Sequence, residues 1–241
     1  MGYTLITGAT SDIGIQICKT LEESSHCLLM TYLKQDALND LNNSLRNPSK
    51  HQVLALDLSN VEQSKDALEL FLTEKDINVS NAVFAAGIFA LKPLRMIDYY
   101  FLKKSYDIAV FSIFALMQVI ASKKINKDSL ENVVVISSVN AKMGVKGYSV
   151  YASLKASMLG LMKSLAVELA PKVRVNAVLP GAIKTRTTQF LFNSQDEINP
   201  RYVLGEGKCE NISNTIDFLL SDKAEWITGQ EIVVDGGLTI N

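Results

Sequence analysis

The chain is expected to fold as a single α/β domain, a doubly wound, seven-stranded parallel sheet with helices on both faces. Three observations predict it. Short apolar runs alternate with segments of helical length through all 241 residues. The runs lack a clean in/out alternation, as strands buried on both faces do. No Pro/Gly/Ser linker, repeat or low-complexity stretch divides the chain, so residues 1–241 are read as one domain.

Taken in order, the strands are YTLIT (3–7), HCLLMTY (26–32), QVLALD (52–57), NAVFAA (81–86), NVVVISS (132–138), RVNAVLP (174–180) and EIVVD (231–235). Helices are expected near 13–24, 36–46, 60–75, 98–122, 149–170 and 211–220. Strands separated by crossover helices argue for a doubly wound sheet, whose ligands bind beyond the carboxyl ends of the strands.

Composition excludes several function classes. With 48% hydrophobic residues, 20% charged residues and a formal net charge of −1, the chain has no bulk attraction for nucleic acid or an anionic membrane. The longest apolar run, IAVFSIFALM (108–117), is shorter than the ~20 residues of a membrane span. No secretory pattern opens the sequence, and a cytoplasmic location is expected. Cys18, Cys27 and Cys209 are scattered with no CxxC and read as reduced thiols. His26 and His51 have no ligating neighbours in sequence, so no metal site is expected.

The first strand runs into TGATSDIG (7–14) and then a helix with apolar Ile13, Ile17 and Leu21. A glycine turn between strand and helix lets backbone amides and the helix N-terminus face a phosphate. Gly8 and Gly14 alone also suit a tight turn that needs glycine for steric reasons only. Asp12 stands where a small residue is expected, and a carboxylate there repels a pyrophosphate. The reading preferred for it is a helix cap with its charge turned away.

Residues 148–155, YSVYASLK, hold two tyrosines and one lysine. Tyr151 and Lys155 are four apart and share a helix face, whereas Tyr148 lies about two turns from Lys155. A free phenol has a pKa of ~10. An ammonium at ~4 Å is worth about 4 kcal/mol at an effective dielectric of ~20, enough to draw the phenol well down. Tyr151 is therefore the better-coupled tyrosine.

Several segments extend this pattern: TGATSDIG (7–14), LDL (56–58), AAG (85–87), ISS (136–138), YASLK (151–155), LPGAIKT (179–185) and TGQEIVVDGG (228–237). In this order and spacing they resemble the short, single-domain branch of the short-chain dehydrogenase/reductase family, and within it the β-ketoacyl-ACP-reductase-like group. The resemblance spans nearly the whole chain. It implies a catalytic Ser138–Tyr151–Lys155 set, in which Tyr151 gives a proton to a carbonyl oxygen as hydride reaches the carbon. Ser138 would hydrogen-bond the same oxygen, and Tyr148 would line the substrate entrance.

The resemblance also implies a nicotinamide cofactor. Gly8, Thr10, Ser11, Asp12 and Ile13 would face its phosphates. Asp57, with Leu58 beside it, matches the acidic residue near the adenine, and Ala85, Ala86 and Gly87 form the matching end of strand four. Tyr151 and Lys155 would meet the nicotinamide ribose. Asn176 precedes the loop in which Pro180 and Gly181 let the backbone approach the nicotinamide. Ile183 and Thr185 would hold its carboxamide and a phosphate. Where an acid ends strand two in NAD-binding members, this chain has Tyr32, with Lys34 nearby. That favours NADP(H) over NAD(H).

Two departures stand out. Ala109 replaces the asparagine that supports a proton relay in the family, and FAAG (84–87) lacks the asparagines of the family's strand-four motif. They leave open an alternative, a catalytically weak nucleotide-binding or assembly module. Substrate specificity is expected in a short loop at about 186–210, with Phe190, Leu191 and Phe192 as an apolar lid or a short core-closing helix. The substrate would be a small-molecule or acyl-carrier-bound carbonyl compound. Lys123, Lys124 and Lys127 are a candidate contact for an acidic carrier or a solvated helix end. Ala-rich stretches in helices 98–122 and 149–170 suggest packing into a homo-oligomer, and the resemblance implies a homotetramer.

Overall fold

A computed structural model describes residues 2–89, 91–189 and 202–240. Seven parallel strands form one sheet in the order β3-β2-β1-β4-β5-β6-β7. They are β1 Tyr3–Thr7, β2 Cys27–Tyr32, β3 Gln52–Ala55, β4 Val79–Phe84, β5 Asn132–Ile136, β6 Arg174–Pro180 and β7 Glu231–Val234. The order reverses direction between β1 and β4, and at such a switch point the strand ends open a crevice. Tyr3 to Ile6 register against Cys27 to Met30 on one side, and Thr4 to Thr7 against Asn81 to Phe84 on the other.

The helices are α1 Asp12–Glu23, α2 Gln35–Ser44, α3 Val61–Lys75, α4 Tyr99–Tyr106, α5 Ser112–Ile120, α6 Lys123–Asn126, α7 Ser149–Glu168 and α8 Cys209–Leu220. Two apolar layers sandwich the sheet. Leu68 and Leu72 of α3, Ile113 and Leu116 of α5, and Met158 and Met162 of α7 cover one face. Ile17 and Leu21 of α1, Leu38 and Leu41 of α2, and Ile216 and Leu219 of α8 cover the other. Strand β5, NVVVI, is buried along its whole length because Val133 and Val135 face the first layer while Val134 and Ile136 face the second. Burial on both faces accounts for the continuous apolar runs.

The helix expected over 98–122 is broken. Between α4 and α5 the backbone makes a π-turn at Asp107–Phe111, with Ala109 buried in it. Two serines bend the segment by bonding back one turn: Ser105 Oγ donates to the Phe101 carbonyl and Ser112 Oγ to that of Ile108, each at 2.7 Å. Within the apolar run only Ser112 marks the break, and a lone serine is also tolerated in an unbroken helix. No helix among the described residues is long and apolar enough to cross a membrane.

Buried Asn126, at the end of α6, clamps the entry to β4. Its Oδ1 accepts from the Val79 amide at 2.7 Å, and its Nδ2 donates to the carbonyls of Val79 and Ile120 at 2.8 and 2.7 Å. Asn126→Ala leaves three buried backbone groups without these partners. It should cost about 3 kcal/mol in urea unfolding, with little change in the denaturant slope.

Candidate active site

A cleft of ≈ 570 Å³ opens at the carboxyl ends of β1, β4, β5 and β6. Ser138, Tyr151 and Lys155 share its wall with Ser11, Asp12, Ile13, Ala85, Gly87, Pro180, Gly181, Ile183 and Thr185. The remaining residues expected along a cofactor, Gly8, Thr10, Tyr32, Lys34, Asp57, Leu58 and Ala86, lie outside that wall.

Ser138 follows β5 and opens a 3-10 turn over Val139–Ala141. Its buried Oγ accepts from the Asn140 backbone N–H at 3.2 Å and from Asn140 Nδ2 at 3.3 Å, which leaves the hydroxyl proton for a bond with Tyr151 in the cleft. The preceding Ser137 donates through Oγ to the Lys155 carbonyl at 2.8 Å, fixing the end of β5 against α7. Asn140 was not singled out in the sequence. Its signal was a polar residue two positions past the strand-end serines.

Tyr148 stands at the N-cap of α7, Tyr151 in its first turn and Lys155 one turn later. Lys155 is 7% exposed, and its Nζ donates to the Ile136 carbonyl at 2.8 Å. It lies 5.8 Å from the centre of the Tyr151 ring. Burial pulls the Lys155 pKa down to about 8. The expectation that the ammonium lowers the Tyr151 phenol is corrected here. Burial raises the phenol, a hydrogen bond with Ser138 works against that rise, and Tyr148 adds to it. The physical reason is that the ammonium is drawn onto Ile136, while loss of water penalises the phenolate.

Phe89 also escaped the sequence reading. It stands just beyond the AAG end of β4, and its ring meets Tyr151 edge-on at 5.2 Å and Tyr148 at 5.9 Å between centroids. With Met143, Val145 and Leu238 these rings make the mouth of the cleft largely apolar. Phe190, Leu191 and Phe192 lie outside the described residues.

At the other end, Gly8 has φ +68°, and a Cβ there would lie 2.7 Å from Ala86 Cα. Thr7 Oγ1 accepts from the Ala86 amide at 3.2 Å and holds the ends of β1 and β4 together. A Cβ on Gly14 would overlap the Gly8 carbonyl oxygen. Both glycines are thus demanded by close backbone approach. The reading of Asp12 as the helix cap is corrected: Ser11 is the cap, and its Oγ accepts from the Gly14 amide at 3.0 Å. Asp12 is the first helical residue, and its carboxylate pairs with Arg186 at 2.5 Å. Serine reaches the third amide of the turn from the N-cap, and a residue inside the first turn cannot.

Beyond β6, Thr185 and Thr188 bond each other through their hydroxyls at 2.8 Å, and Thr188 Oγ1 donates to the Ile183 carbonyl at 2.5 Å. A Cβ on Gly181 would come within 2.9 Å of Asp235. The Asp57 carboxylate accepts from the Ser59 N–H and hydroxyl at 3.0 and 2.6 Å, contacts that hold it below the usual carboxylate range. Asn176 sits within β6 and braces Ile227 and Gln230 at 2.9 and 3.0 Å. Lys127 pairs with Asp76 at 2.5 Å. His51 bonds Glu22 at 3.2 Å and accepts from the Leu28 amide. No group of three or more potential metal ligands occurs among the described residues.

The glycine turn at the start of α1 and the closely approached strand ends fit an elongated phosphate-bearing nucleotide, while the hydroxyls of Ser11 and Thr188 donate to the Gly8 and Ile183 carbonyls and shape the two loops. Such a fold, with a serine, tyrosine and lysine on one cleft, defines a dinucleotide-binding oxidoreductase class. The family model for enoyl-(acyl carrier protein) reductase matches residues 8–239. A 3-oxoacyl-[acyl-carrier-protein] reductase of Rickettsia felis is 33% identical over 238 residues, covering 98% of this chain and 95% of its own. A short-chain dehydrogenase/reductase of Brucella melitensis, described as glucose/ribitol dehydrogenase, superposes with a TM-score of 0.87 at 28% identity, covering 98% and 96% of the two chains. A 4-hydroxyisoleucine dehydrogenase in complex with NADH gives 0.90 at 28% identity, with 100% of both chains covered. The chain belongs to the short-chain dehydrogenase/reductase family of oxidoreductases.

Proposed function

We propose that the protein is an NADP(H)-dependent reductase that converts a ketone to a secondary alcohol. The observation that carries this reading is the meeting of Ser138, Tyr151 and Lys155 on one wall of a cleft that also reaches Ser11, Asp12 and Ile13 at the start of α1. A bound nicotinamide supplies the hydride. Ser138, steadied by Asn140, orients the carbonyl oxygen, and the Tyr151 phenol gives it a proton. Burial that raises the phenol keeps that proton in place near neutrality, which suits reduction. Lys155 fixes the register of α7 against β5 through Ile136. The apolar mouth of Phe89, Met143, Val145 and Leu238 suits an aliphatic or aromatic ketone, and a 3-oxoacyl thioester is the candidate that the Rickettsia felis relative favours.

The choice of NADP(H) rests on Lys34, exposed just past β2, and on Tyr32 in place of an acid. Titration followed by nicotinamide fluorescence should show NADPH binding about tenfold tighter than NADH, and Lys34→Ala should bring the two within about threefold. Equal affinities in the parent protein would refute the preference. A homotetramer is part of the same reading, supported by Phe111 and Phe114, about half-exposed on one stretch of helix.

A further inference from the structure

We propose that Arg186 is a positioning residue for the dinucleotide: it cancels the Asp12 charge at the start of α1 and ties the loop after β6 to the glycine turn. The inference rests on the nucleotide-binding reading of this cleft. Asp12 lines the cleft at the first helical position, where the N-terminal field attracts an anion. A carboxylate and a pyrophosphate would therefore compete for the same field and repel each other.

Arg186 removes that conflict. Its backbone N–H donates to Asp12 Oδ2 and its Nε to Oδ1, each at 2.5 Å, so both carboxylate oxygens are engaged by one residue 174 positions away. Its Nη2 also donates to the Thr10 carbonyl at 3.4 Å, within the glycine turn. Nη1 lies 3.8 Å from Asp40 of α2. One side chain thus joins the glycine turn, α1 and α2. Its neighbours Thr185, Thr187 and Thr188 line the cleft, so the same contact sets the loop that would close on the phosphates. An exposed ion pair of this kind contributes little to folding. Its consequence falls on the ligand.

The test is a charge-rescue cycle on the full chain, with NADPH and NADH as probes and binding followed by fluorescence. Arg186→Ala keeps the backbone N–H on Asp12 Oδ2 but removes the guanidinium, and should weaken binding about tenfold by leaving the Asp12 charge uncancelled. Adding Asp12→Asn to that variant should bring affinity back to within about threefold of the parent, and Arg186→Lys, which keeps the charge but not the forked contacts, should recover part of it. Thermal midpoints should stay within about 3 °C throughout, so that a folding defect does not imitate the result. Unchanged affinity in Arg186→Ala, or a double variant as weak as the single one, overturns the inference. A parent protein that binds neither nucleotide overturns the cofactor reading itself, and this inference with it.

Discussion

Tyr151→Phe should lower kcat for ketone reduction by about a thousandfold while leaving NADPH affinity within about twofold. The substitution removes one hydroxyl and keeps the ring that packs edge-on against Phe89 and Tyr148. The fold and the apolar mouth therefore survive, and only the proton donor is lost. Tyr148→Phe is the matched control. Tyr148 stands at the helix cap, is only partly buried and is seven positions from Lys155, so its loss should cost less than about tenfold. Single-turnover measurement of NADPH oxidation, with cofactor binding measured separately, checks both. Two variants with equal rates would sink the assignment of the acid. A parent protein that binds NADPH but turns over none of a broad ketone panel would favour the binding-module alternative.

The sheet was readable because parallel strands buried on both faces leave continuous apolar runs, and NVVVI is such a run. The strand-end serines and the i, i+4 spacing of Tyr151 and Lys155 were readable for the same local reason. What the sequence concealed depends on partners distant in the chain or on burial. Asp12 gave no sign of meeting Arg186, and Asn126 gave none of bonding Val79 forty-seven residues away. The π-turn at Asp107–Phe111 runs from an aspartate into an apolar stretch with no glycine or proline to announce it. The sign of the Tyr151 shift was missed because helical spacing fixes which face a lysine shares and says nothing of where its ammonium points. Here it points to the Ile136 carbonyl, and desolvation outweighs attraction.

Lys155→Met should make the protein more stable and nearly inactive. Lys155 is buried with its pKa drawn from 10.5 to about 8, so at neutral pH the folded state holds a cation that it binds less well than the unfolded chain does. That shift corresponds to roughly 3 kcal/mol of destabilisation. Methionine fills a similar volume without charge, and the loss of the Ile136 hydrogen bond returns about 1 kcal/mol of it. The variant should therefore gain about 2 kcal/mol at pH 7, seen as a thermal midpoint roughly 4–8 °C higher. The sign with pH follows from proton uptake. Below pH 8 both states of the parent carry the proton and the penalty is complete. Between pH 8 and 10.5 the unfolded chain binds more protons, so the parent gains stability as pH rises; the advantage of the variant vanishes near pH 10 and reverses above it, to about 1 kcal/mol for the lost hydrogen bond. Reduction should meanwhile fall by at least about a hundredfold, because the group that sets α7 against β5 and holds positive charge beside Tyr151 is gone. Denaturation at pH 7 and pH 10, paired with activity at pH 7, decides it: a less stable variant, or a stability gap that ignores pH, would show that the buried ammonium carries no such penalty.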